Sequence, residues 1–184
     1  MVFLLVMQKP LRCSCQDQPR TRIRWNIPRG YHVDKISDHE MRTIGQLVER
    51  RTDQWLIGVN LRQWFHFGSS LVPYRLARAY YQRRAEEPMS QFVRAVMSFV
   101  SHLRQDWDAK VVLISSYQPG VEPWEDDLPW LRRGKAQFAS DNDVIVADSF
   151  LSIMGFCALI SKLDLMVGTR LHSSLTALRV GVQR

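Results

Sequence analysis

Two arginines and one histidine stand where an anion could be gripped and a proton moved. Arg62 ends the apolar run Trp55-Leu56-Ile57-Gly58-Val59-Asn60-Leu61, and Arg170 and His172 share the stretch Gly168-Thr169-Arg170-Leu171-His172-Ser173-Ser174. A guanidinium is planar, permanently charged and able to grip a carboxylate or phosphate with two parallel N–H donors. An imidazole titrates near neutrality. The residues after Arg170 read as a helix beginning at about Ser173, and a helix start offers unpaired N–H groups and the positive end of its dipole. Gly168 lets the chain turn tightly there, and Ser173 and Ser174 can cap the helix or offer hydroxyls. The place suits a carboxylate or a phosphate. The competing explanation uses the same residue types structurally, with Arg170 paired to Asp164 and His172 capping the helix.

Other chemistry-bearing residues are weaker candidates. Glu125, Asp126 and Asp127 could hold a catalytic carboxylate, but acids at a helix start are common for dipole reasons alone. Trp64, His66 and Tyr74 could line a sugar pocket or simply pack. Arg75, Arg78, Arg83 and Arg84 read as a solvated helix face, with lipid phosphates as the other partner they would fit. His32, His39 and His102 are scattered and read as surface residues. Cys157 lies in an apolar helical stretch and reads as a small core residue. Cys13 and Cys15 are one residue apart with no second pair at zinc-site spacing, so no metal site is expected.

The elements that must position these residues alternate along the chain. Strands are predicted at Trp55–Leu61, Lys110–Ser115, Asp143–Ala147 and Leu163–Val167. Helices are predicted at about 90–105, with Ser90 as the cap, from Asp126 to about Phe138, around Ile153–Ile160, and from about Ser173. Residues 66–88 read as a loop followed by a basic, tyrosine-rich piece. The alternation implies an α/β fold, a parallel sheet with helices on both faces. Ligands of such sheets bind beyond the carboxyl ends of the strands, where the strand order reverses. In the order 3-2-1-4 the first and fourth strands are neighbours, and Arg62 and Arg170 then face one pocket. Residues 1–52 read as an irregular segment apart from a short helix at 38–51 carrying Met41, Ile44, Leu47 and Val48 on one face. Residues 53–184 form the Rossmann-like domain, whose last apolar run at Gly181-Val182 suggests a sheet continuing beyond the chain's end.

Composition bounds the class. Apolar residues make up 46% and charged residues 23% of the 184, the balance of a folded globular protein. The formal net charge of +7 favours an anionic partner without choosing among nucleic acid, acidic membrane and phosphorylated small molecule. Three cysteines do not make a disulfide framework, which points to a reducing compartment. The opening run Met1–Met7 is too short to span a bilayer and lacks a basic region before it, so the chain reads as soluble and cytoplasmic.

Asp164-Leu165-Met166-Val167-Gly168-Thr169-Arg170-Leu171-His172-Ser173-Ser174-Leu175-Thr176-Ala177-Leu178-Arg179-Val180-Gly181-Val182 resembles the signature of polysaccharide pyruvyl transferases. That family shows an aspartate-led strand, Arg-Leu-His, and a helix ending in Ala and Gly-Val. Ile57–Arg62 is similar to its strand ending in arginine, and Val112–Ser115 followed by Glu125-Asp126-Asp127 to its strand and acidic turn. The resemblance covers residues 55–182 and implies the Rossmann-like half of a two-domain GT-B-like fold. It implies transfer of the pyruvyl group of phosphoenolpyruvate onto two sugar hydroxyls, giving a cyclic ketal, with phosphoenolpyruvate as donor and no further cofactor. It makes Arg62, Thr169, Arg170, His172 and Ser173 substrate-binding residues, and Arg170 and His172 the catalytic ones. His172 is then the proton donor or a phosphate ligand. Peripheral contact with a membrane carrying a lipid-linked acceptor would suit such an enzyme.

Three other readings compete. A GT-B-type glycosyltransferase would use a nucleotide sugar in the same cleft. An inactive fragment of a pyruvyl transferase would keep the fold without turnover. A basic nucleic-acid-binding module lacks any continuous arginine stripe or zinc-finger signature to support it.

Overall fold

Alternating apolar runs become strands because each can bury both faces between helices. The computed structural model describes residues 4–7, 36–63, 74–115, 126–169 and 171–180, leaving aside the side chains of residues 4–7, 74–78, 81, 171 and 172. Its strands are β1 (Leu4–Met7), β2 (Trp55–Asn60), β3 (Ala109–Ile114), β4 (Val144–Ala147) and β5 (Leu165–Gly168). Its helices are α1 (Asp38–Val48), α2 (Tyr74–Trp107), α3 (Leu128–Lys135, running into a 3-10 turn at Ala136–Phe138), α4 (Ile153–Lys162) and α5 (Leu171–Arg179).

The sheet order is β1-β5-β2-β3-β4. The strands β2, β3, β4 and β5 are mutually parallel, so the four strands expected from the sequence take the order in which the first and fourth are neighbours. The chain is α/β and Rossmann-like. To this all-parallel expectation the structure adds β1, which pairs antiparallel with β5, Leu4 opposite Gly168 and Met7 opposite Leu165. Residues set apart by the sequence as an irregular N-terminal segment thus supply an edge strand to the same sheet.

Side chains alternate across the sheet as the two-residue period demands. Ile57, Val59, Leu61, Val111, Leu113, Leu165 and Val167 face one layer, where they meet Met89, Val93, Val96, Val100 and Leu103 of α2 and Trp130 and Leu131 of α3. Leu56, Val112, Ile114 and Met166 face the other, against Ile44 of α1, Leu159 and Ile160 of α4 and Ala177 of α5. Gly58 points into this second layer, where a β-carbon would come 2.5 Å from Leu163 Cδ1. The missing side chain lets the end of α4 sit directly on β2.

Three helix boundaries depart from the sequence reading. α2 begins at Tyr74 rather than near Ser90 and absorbs the basic, tyrosine-rich piece. Pro88 lies inside it, a position that costs roughly 3 kcal/mol. Buried Ala85 and Met89 continue the apolar stripe on either side of the proline, and their burial offsets that cost. α5 begins at Leu171, two residues early, so Ser173 and Ser174 lie within the helix and do not cap it. α1 ends at Val48 and begins from a capping box. The Ser37 hydroxyl accepts from Glu40 N–H at 3.2 Å, and the Glu40 carboxylate accepts from Ser37 N–H at 3.1 Å.

Glu40 also reaches out of its own helix. Its second oxygen accepts from the Ser152 N–H at 2.6 Å, and Ser152 caps α4 by accepting from Gly155 N–H. One carboxylate therefore organises two helix starts. Hydrogen bonds from Ser152, its hydroxyl first, and from Ser37 outweigh burial and hold the Glu40 carboxyl down at about 2.

Candidate active site

The β2–β5 junction is where the chain changes face. α2 and α3 cover one layer and α4 and α5 the other, so the carboxyl ends of these two strands open the crevice in which α/β sheets bind ligands. The register places Asn60 opposite Gly168, and Arg62 and Arg170 each follow a paired position by two residues. Arg62 is half-buried at the exit of β2. Thr169 continues the pairing, its N–H donating to Asn60 O at 3.3 Å. The Thr169 hydroxyl oxygen is buried and has no hydrogen-bond partner among the described residues.

Arg170 lies outside the described residues, as do Trp64, His66, Glu125, His32, Cys13 and Cys15. His172 occupies the first turn of α5, whose backbone alone is described there, and Tyr74, Arg75 and Arg78 lie in the first turns of α2 in the same way. Arg83 and Arg84 are exposed on α2, and His39 and His102 are exposed too.

The acid offered by the sequence as a structural partner for Arg170 is engaged elsewhere. Asp164 sits at the amino end of β5, where one oxygen pairs with Arg50 Nη1 and accepts the Leu56 N–H at 2.9 Å. Further carboxylates at that amino-terminal edge are also taken up structurally. Arg104 grips Asp141 with Nε at 2.8 Å and Nη2 at 3.1 Å, and reaches Asp143 at 3.0 Å. Burial works against the charge on Asp141, but Arg104 and the Asp143 N–H outweigh it and its pKa falls below the usual value.

Two residues that the sequence reading passed over shape the carboxyl edge. Asn60, 2% exposed, donates from Nδ2 to Ile114 O at 2.7 Å and accepts at Oδ1 from the Ser173 hydroxyl at 3.2 Å. Ser173 and Ser174 are both buried. Gly168 carries no left-handed backbone angle. A β-carbon there would lie 3.4 Å from Ser174 Oγ and 3.6 Å from both Asn60 Cβ and Ser173 Oγ. These are ordinary contact distances, so neither close packing of α5 nor the tight turn expected of it requires a glycine at this position. The available signal was a lone polar residue ending an otherwise apolar strand.

The other is Gln63. Its N–H donates to Asp127 Oδ1 at 2.7 Å, which explains a fully buried carboxylate. Asp127 thus ties the exit of β2 to the start of α3, and its side chain makes no cap bond to that helix. Asp126 turns on itself, accepting Leu128 N–H at 2.9 Å. Gln63, Glu86, Asp126, Pro129, Trp130 and Arg133 line an open groove of about 340 Å³. The Arg133 guanidinium lies 5.3 Å over the Trp130 ring and pairs with Glu86.

Cys157 is half-buried and burial pushes its thiol pKa up, the opposite of what a nucleophile needs. Among the described residues no group of three or more His, Cys, Asp or Glu side chains is placed to hold a metal ion, and no helix is long and apolar enough to cross a membrane.

The family model for polysaccharide pyruvyl transferase matches residues 72–183, from α2 past α5, a span that includes residues 169–173 and begins after Asn60 and Arg62. Neither the curated proteins nor the solved structures contain a match. With more than half its length matched, the chain belongs to the polysaccharide pyruvyl transferase family, enzymes of transfer onto a sugar or polysaccharide acceptor.

Proposed function

We propose that the chain transfers the pyruvyl group of phosphoenolpyruvate to two hydroxyls of its acceptor, with the donor held where β2 and β5 end side by side. The observation that carries this reading is the β2–β5 pairing, Asn60 opposite Gly168. It sets the strand that delivers Arg62 beside the strand that leads into Arg170, Leu171 and His172. Phosphoenolpyruvate carries a carboxylate and a phosphate on adjacent groups, so two guanidiniums and the start of α5 match it in charge and number.

The chemistry balances without another reactant. A proton added to the methylene carbon of the donor makes a methyl group and leaves the neighbouring carbon electron-poor. One acceptor hydroxyl adds there and loses its proton. The carbon–oxygen bond to phosphate breaks with its electron pair going to phosphate, and the second hydroxyl adds and loses its proton. Of the two hydroxyl protons, one replaces that spent on the methyl group and the other leaves with phosphate. His172 suits either the proton delivery or the grip on the departing phosphate. The groove beside Gln63 suits the sugar, offering an amide, carboxylates and the flank of an indole.

A thermal-shift titration tests the donor assignment. A ligand that binds only the folded state raises the melting temperature, and the rise grows with the logarithm of ligand concentration over its dissociation constant. Phosphoenolpyruvate is expected to stabilise the protein more than equal phosphate does, and Arg62→Ala and Arg170→Ala to abolish that excess. Stabilisation by a uridine diphosphate sugar with none by phosphoenolpyruvate would turn the reading to a glycosyltransferase. With donor binding established, His172→Ala separates the two histidine roles. Unchanged donor affinity with turnover lost means proton delivery, and weakened affinity means phosphate binding.

A further inference from the structure

We infer that Asn60 is a positioning residue, whose amide fixes the first turn of α5 against the ends of β2 and β3 and so sets the spacing between the two halves of the anion site. This rests on the donor site proposed above. The side chain sits at the centre of the rim and joins three elements. Nδ2 donates to the last carbonyl of β3, Ile114 O, at 2.7 Å, and Oδ1 accepts from Ser173 of α5 at 3.2 Å. Its main-chain oxygen accepts Thr169 N–H at 3.3 Å. The residue therefore touches Thr169 and Ser173, which flank Arg170 and His172 in the sequence, and stands two residues before Arg62.

The chemical demand at this position is narrow. A donor must face a carbonyl and an acceptor must face a hydroxyl, on one planar group, within a core that leaves Asn60 2% exposed. Aspartate offers acceptors alone, and leucine or alanine offer neither, leaving the Ile114 carbonyl and the Ser173 hydroxyl without these bonds in a buried place. Ser173, a candidate for touching substrate, takes a different part here. Its hydroxyl is directed at Asn60, and it holds the turn.

The test uses the full chain and two readouts, one of them independent of donor. Amide hydrogen exchange without ligand is compared for wild type, Asn60→Ala, Asn60→Asp, Ser173→Ala and the Asn60→Ala/Ser173→Ala pair. Phosphoenolpyruvate affinity is measured by calorimetry at a temperature where each variant is folded. Exchange in residues 171–175 is expected to quicken about tenfold or more in Asn60→Ala, with protection of residues 93–103 unchanged, since one or two buried hydrogen bonds are lost locally. Donor affinity is expected to fall roughly tenfold in step, and the double variant to bind no more weakly than Asn60→Ala, as partners in one bond should. Unchanged exchange at 171–175 overturns the inference, as does a lowered melting temperature with donor affinity intact, which is a merely structural role. If Asn60→Ala does not fold, Ser173→Ala carries the same comparison. If wild type binds no phosphoenolpyruvate, the donor assignment falls. Local quickening at 171–175 would then still keep Asn60 as the tie on α5, and its absence would remove that as well.

Discussion

Replacing Gly58 and Gly168 by alanine separates a strand glycine that packing requires from one that it does not. Both residues belong to paired strands facing the α4–α5 layer, and both substitutions remove unfolded-chain freedom, a gain of about 0.4–1 kcal/mol where the native backbone tolerates a side chain. Their surroundings differ. At Gly58 the new carbon would stand 2.5 Å from Leu163 Cδ1, 2.9 Å from Met166 Sδ and 3.1 Å from Ile114 Cδ1, where carbon contacts settle at about 3.5–4.0 Å. Leu163, Met166 and Ile114 are all buried to within 1%, so relief requires off-rotamer side chains or a shift of the strand. Such overpacking costs about 1–3 kcal/mol, leaving Gly58→Ala destabilised by roughly 1–2 kcal/mol after the entropy gain. At Gly168 the nearest atom is Ser174 Oγ at 3.4 Å, and Gly168→Ala should stay within about 0.5 kcal/mol of wild type. Urea unfolding followed by far-ultraviolet circular dichroism measures both midpoints, and a chain of this size should lose roughly 2–4 °C in melting temperature per kcal/mol. Equal losses at the two positions, or none at Gly58, would refute the packing argument.

Two further stability predictions concern single carboxylates. Glu40 has a folded pKa of about 2 against an ordinary 4.5, so its contribution is fully present above pH 5 and is lost as pH falls toward 2. The linkage is on the order of 2 kcal/mol after allowance for partial solvent access. Denaturation of wild type and Glu40→Gln from pH 6 to pH 2.5 should show their stability difference shrinking with acid, and a constant difference would dismiss the role given to Ser152 and Ser37. Arg50→Ala should destabilise by roughly 2–4 kcal/mol, because it takes the guanidinium away from the buried Asp164 carboxylate. Asp164→Asn can still accept the Leu56 N–H and should cost less. A chemical-denaturation comparison of the two checks that order.

The fold was legible wherever burial on two faces writes a continuous apolar run. The strands that became β2, β3, β4 and β5 were placed to within about two residues at each end. The strand order was expected from general topology, and with it the adjacency of the Arg62 and Arg170 strand ends. β1 was not legible as a strand. It is four residues long, and what makes it a strand is an antiparallel partner more than 150 positions away. The first half of α2 was hidden for another reason. Tyrosines, arginines and Pro88 between Tyr74 and Met89 mask a helical stripe that, among the described side chains, Ala85 and Met89 carry into the core.

The candidate site was drawn from its charges, and its scaffold was not legible, for a physical reason. Arginine and histidine suggest an anion site by type, since one offers a fixed fork of donors and the other titrates near neutrality, although Arg50 and Arg104 show the same fork spent on structure. The residues that hold such groups in place announce nothing, since an asparagine, a serine or an aspartate acquires its role from what the fold brings to it. Asp164 shows this from one side. The nearest cation in the chain beyond β5 is Arg170, yet the carboxylate meets Arg50, 114 positions distant, because strand polarity puts its head at the opposite edge of the sheet. Asn60 shows it from the other. It stands two residues from a candidate arginine in sequence, and only the fold reveals that its amide reaches the end of β3 through Ile114 and the first turn of α5 through Ser173. Exchanging donor for acceptor at such a position should therefore disturb the proposed anion site without touching a single charge in it.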